Sequence, residues 1–84
     1  MNAYAVDGSG AKLVVSDTEL RGWVSYTGFA SASFTSCTFD KNSNAEVQKT
    51  IRPYDTTVFT NCDFAEGYEF LWDMLGAGDT VTFV

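Results

Sequence analysis

Histidine is absent from this chain of 84 residues, and its absence removes the commonest general base and the commonest metal ligand together. Basic residues number five against eleven acidic ones, so few cations are present to replace counterions on a phosphate backbone. Direct nucleic-acid binding is therefore not expected. Two cysteines are too few for a disulfide framework or a metal cluster. They are read as buried free thiols that behave as small hydrophobes, with one disulfide between Cys37 and Cys62 as the alternative. No apolar run approaches the roughly 20 residues that cross a bilayer, so no membrane partner is expected. The opening MNAYAVDGSG has neither the basic region nor the apolar core of a secretory signal. The expectation is an intracellular product, cytoplasmic in a host cell or carried in a virion.

Aromatic residues are plentiful. Two Trp, four Tyr and seven Phe suit a thin core, because each can bury on the order of 150–250 Å² from one backbone position. Residues 1–84 are read as a single domain, near the lower size limit for folding without staples.

The local patterns are mostly those of strands. AYAVDGSGAKLVV places apolar residues on both sides of Asp7-Gly8-Ser9-Gly10 and reads as a hairpin. In the next segment Trp23, Ser25 and Thr27 alternate with Val24 and Tyr26, the two-residue period of a half-buried strand. Asp40-Lys41-Asn42-Ser43-Asn44 is a turn cluster, AEVQKTIR reads as a strand ended by Pro53, and TTVFTNCDF is β-branched and aromatic again. EGYEFLWDMLGAG departs from this: Tyr68, Leu71, Trp72 and Leu75 fall at helical spacing and Gly76 stands where a C-cap would. One short helix over about residues 67–75 is predicted, with Trp72, Leu71 and Leu75 against the sheet. The fold class is accordingly mainly β (α+β), a small twisted antiparallel sheet or compact sandwich plus that helix.

FTSCTF (Phe34 to Phe39) and FTNCDF (Phe59 to Phe64) supply an alternative. The pair aligns Phe34 with Phe59, Cys37 with Cys62 and Phe39 with Phe64, and VSDTEL (Val15 to Leu20) fits more loosely. Offsets of 19 and 25 residues lie in the range of solenoid repeats. The shared pattern resembles the rungs of right-handed parallel β-helices, in which like residues stack in ladders. That resemblance implies a short parallel β-helix-like stack.

Catalytic chemistry has little to work with. Cys37 and Cys62 lack a local activating base, GSGAK lacks the second glycine and terminal Lys-Ser/Thr of a P-loop, and neighbouring acids such as Glu69 and Asp73 read as solvated surface. A non-enzymatic protein without cofactor or metal is expected. Charge is more informative: residues 1–54 balance five acids with five bases, while 55–84 hold Asp55, Asp63, Glu66, Glu69, Asp73 and Asp79 with no base. A basic protein surface is the expected partner, approached under electrostatic steering. Asp63, Glu66, Tyr68, Glu69, Phe70, Trp72 and Asp73 form the candidate partner-binding set, the aromatics as anchors and the acids as rim. The expected function is a viral-type inhibitor occupying the nucleic-acid-binding surface of a host protein such as a nuclease or RNA-guided effector. The alternative is a virion decoration protein or structural β subunit, for which self-association as a homo-oligomer is open.

Overall fold

In the computed structural model, residues 2–4, 11–40 and 49–84 are described, the first three by backbone alone. Every strand pairing among them is parallel. The strands are β1 (Asn2–Tyr4), β2 (Lys12–Ser16), β3 (Glu19–Arg21), β4 (Trp23–Thr27), β5 (Ser31–Thr35), β6 (Thr38–Asp40), β7 (Thr50–Arg52), β8 (Thr56–Thr60), β9 (Asp63–Phe64), β10 (Glu69–Phe70) and β11 (Val81–Phe83). They build three faces: face A in the order β1-β4-β7-β10, face B in the order β2-β5-β8-β11, and face C in the order β3-β6-β9. Each circuit of the chain adds one strand to B, then C, then A, so the circuits stack as a parallel coil. The antiparallel sheet or sandwich expected from the strand patterns is thus replaced by the stacked alternative.

The two hexapeptides are consecutive turns of this coil. Phe34 is in register with Phe59, Phe39 with Phe64, and Val15 with Phe34. The last turn continues the ladder, with Phe83 beside Phe59. Alternation then decides what is enclosed. Val24, Tyr26, Ala32, Phe34, Phe39, Ile51 and Phe59 point inward and are buried, while their strand neighbours are more exposed, except Thr50 beside Ile51, which is buried as well. Ring stacking follows the ladder: Phe34 on Phe59 at 5.3 Å, Phe59 on Phe83 at 5.0 Å, and Phe39 on Phe64 at 4.7 Å.

The corner from face B to face C is the same in each full turn. Its first residue is Asp17, Ser36 or Asn61, each with φ between 51 and 53°. Asp and Asn tolerate this left-handed backbone better than most side chains do. Its second residue is Thr18, Cys37 or Cys62, and each donates to the carbonyl two residues back: Thr18 Oγ1 to Ser16 O at 2.8 Å, Cys37 Sγ to Thr35 O at 3.4 Å, Cys62 Sγ to Thr60 O at 3.5 Å. The cysteines therefore do a hydroxyl's local work as free thiols, Cys37 buried and Cys62 partly so. Burial pushes the Cys62 thiol up from its ordinary value.

The helix expected at 67–75 does not form. Gly67 adopts φ +75°, and the following backbone joins face A instead: Glu69 N–H donates to Lys49 O and Leu71 N–H to Ile51 O, both at 2.9 Å. Pairing with β7 overrides the helical spacing, and the two-residue alternation of Tyr68 and Phe70 is the pattern the fold uses. The hairpin expected around residues 7–10 and most of AEVQKTIR lie outside the described residues; Thr50–Arg52 of the latter is strand.

Candidate functional site

The last turn of the coil carries all seven residues of the candidate set, on more than one face. Asp63 is exposed on β9, in the face C row that contains Glu19 and Thr38. Glu69 is exposed on β10, in the face A row of Trp23 and Thr50. Glu66 stands in the turn between them. The acids are therefore spread around the rim and not gathered into one patch.

Two bases from the preceding turn temper this charge, a relationship invisible along the sequence. Lys49 Nζ donates to Glu66 O at 3.3 Å and passes close over Gly67, where an added Cβ would lie 2.9 Å from the ammonium. The positive φ of 75° favours glycine there, while the lysine tip can swing aside from an added Cβ. Arg52 Nε lies 3.2 Å from Asp73 Oδ1, an ion-pair distance without the alignment of a hydrogen bond, and the guanidinium carbon sits 5.3 Å over the Trp23 ring. On the opposite side of the turn Asp55 is held above the usual carboxylate range by partial burial and then by the nearby charge of Asp79.

The aromatic members do come together. Phe70 stacks on Trp72 with centroids 5.3 Å apart and meets Phe64, Tyr68 and Phe83 edge-on. Tyr68 is wedged among Phe39, Phe64 and Phe70, and its hydroxyl is buried with no hydrogen-bond partner among the described residues. Burial raises its pKa. Trp72 is not the helix-to-sheet core contact expected of it, because without the helix it follows β10, stacks on Phe70 and stays 47% exposed.

Sequence reasoning left Phe83, Val84 and Met74 out of the candidate set. They are 55%, 74% and 45% exposed, and with Trp72 they make the end of the coil apolar. The signal was available in the apolar strand TVTFV. Beyond β11 no further strand covers face B among the described residues. Face B itself carries no acid: its outward positions are Lys12, Val14 and Ser16, then Ser31, Ser33 and Thr35, then Thr56, Val58 and Thr60, then Thr82. No pocket is present, and no group of three or more His, Cys, Asp or Glu side chains could hold a metal, among the described residues.

No protein-family model, curated protein or solved structure matches this chain.

Proposed function

We infer that this chain is a non-enzymatic protein-interaction module that docks through the open end of its coil, the partner covering the last turn. The observation that carries the reading is that no described strand covers β11, with Phe83 exposed at the end of an inward column and Trp72 exposed beside Phe70. Unpaired strand edges and exposed aromatics are both surfaces that other chains cover. This favours the structural β subunit over the small acidic inhibitor. The test is a photo-crosslinking residue placed at position 83, compared with one at position 33 on the outer surface of face B, in extract of the source cells. Position 83 is expected to label one protein selectively. Equal, scattered labelling from both positions would overturn the reading.

The rim acids support a second reading, in which the same end blocks a basic, nucleic-acid-binding surface of a host nuclease or RNA-guided effector. Glu66 and Glu69 are exposed beside the aromatic cluster and would steer a basic partner. Under that reading, changing Glu69 and Asp73 to Lys slows association and binding weakens steeply with salt. Association unchanged by that reversal rules it out.

A further inference from the structure

The two ends of the coil are stepped, and the steps fit each other. At the start, β1 is the only described strand one level before β2, β3 and β4 complete a turn, and it lies on face A. At the finish, β11 stands alone on face B, one level beyond β8, β9 and β10. A second copy stacked on the first therefore meets it on two faces at once with a single displacement. β2 of the upper copy falls beside β11 of the lower, and β1 of the upper falls beside β10 of the lower. Face C is left one strand short at the joint, a notch of about 10 Å between neighbouring strands.

The backbone groups and side chains at this joint are complementary. Thr57 N–H donates to Thr80 O and Val84 N–H to Phe59 O, so the even-numbered residues of β11 are spent on β8. By alternation the amides of Val81 and Phe83 point to the open edge. On β2, Asp17 N–H donates to Thr35 O, which places the odd residues toward β5 and the amides of Lys12, Val14 and Ser16 at the opposite edge. Continuing the observed register puts Phe83 under Val15 of the next copy and Val81 under Leu13, so the inward columns run on without a break. It also puts Lys12 over Thr80, next to Asp79.

Charge disfavours one of the competing polarities. The last 30 residues hold six acids and no base, so joining two finishing ends would bring like charges together. The starting end balances Lys12 and Arg21 against Asp17 and Glu19, with Arg21 ion-paired to Glu19 at 2.7 Å, so it adds no such repulsion. We propose that the partner covering the open end is a second copy of this chain, stacked head to tail so that β11 and β10 of one copy pair with β2 and β1 of the next. The proposal rests on the reading of the open end as a docking surface. A heterologous contact of this kind does not close on itself and grows a linear series.

Sedimentation velocity from about 10 µM to 1 mM tests it, with two variants chosen one for each end. Phe83→Asp places a charge in the finishing column, and Val14→Pro removes an edge amide at a side chain that is 70% exposed. The wild type is expected to pass from the 9.2 kDa monomer to a concentration-dependent ladder of species. Each variant alone is expected to stay monomeric, and an equimolar mixture to form a two-copy complex, because one intact starting end meets one intact finishing end. Circular dichroism of both variants confirms that they are folded, and a Thr82→Lys edge variant replaces Phe83→Asp should it unfold. A wild type that remains monomeric throughout, or a mixture that does not associate, overturns head-to-tail stacking. Selective crosslinking from position 83 to a different protein, with no self-association, would sink this proposal and leave the docking reading standing.

Discussion

Phe34 and Phe59 lie one above the other on adjacent turns, their ring centroids 5.3 Å apart and their planes 14° from parallel. Phe34 is fully buried and also meets Tyr26 and Phe39. Phe34→Ala is expected to cost about 3–5 kcal/mol, the range for emptying a buried phenylalanine site. In a domain this small that is a large share of total stability. Urea denaturation followed by circular dichroism measures it; a loss below about 1 kcal/mol would mean that the column is not the core.

Tyr26 hydroxyl and Thr57 Oγ1 form a buried hydrogen bond of 2.6 Å, and the Thr57 hydroxyl also donates to Asp55 O at 2.8 Å. With the Thr57 proton committed to Asp55, Tyr26 is the donor between them. Burial pushes the phenol up to about 12, against about 10 in an unfolded chain. The folded state keeps a proton that the unfolded state releases, so this contribution is intact below pH 10 and is lost as pH rises toward 12. The denaturation midpoint of the wild type should therefore fall more steeply over that window than the midpoint of Tyr26→Phe. Equal slopes would refute it.

Tyr68 presents the reverse case, a buried hydroxyl with no partner among the described residues. Replacing it by phenylalanine keeps the ring contacts with Phe39, Phe64 and Phe70 and removes the unsatisfied group. Tyr68→Phe is expected to stabilise the fold, by about 1 kcal/mol. Thermal unfolding decides the sign, and a lower midpoint would show that the hydroxyl is satisfied in solution.

Ser36 is the least suited of the three residues at the repeated corner. Asp17 and Asn61 fill the same left-handed position in the turns on either side. Ser36→Asn is expected to add about 0.5 kcal/mol, while Ser36→Val, branched at Cβ, should cost more than 1 kcal/mol. Should both substitutions shift stability equally, backbone strain is not what governs this site.

Much of this fold was written locally, and its long-range part was not. The alternation through Trp23–Thr27 identified a strand and its two faces, and the alignment of the hexapeptides matches the register under the stacked alternative. Alternation is the same in parallel and antiparallel sheets, so it left the pairing direction open. The helical spacing of Tyr68, Leu71, Trp72 and Leu75 misled because β7, from the previous turn, offers Lys49 O and Ile51 O to that segment. The charge asymmetry was real as composition, yet Lys49 and Arg52 stand against the acids of the last turn once the turns are stacked. The aromatic half of the candidate surface was legible because Phe70 and Trp72 share a strand face. Phe83 was missed because its exposure depends on where the stack stops.

The corner between faces B and C takes two residues in every full turn, whereas the connection from face C to face A lengthens from Gly22 alone, between β3 and β4, to a segment several times as long between β6 and β7. One corner therefore keeps phase for the whole molecule and another absorbs slack. A short insertion in the described connection between β9 and β10 is expected to leave β10 and β11 facing as before. A single residue inserted between Ser36 and Cys37 would turn the pattern of β6 inside out, sending Phe39 to water. Length variation is cheap at one edge of this prism and prohibitive at the next, and the short corner acts as its ruler.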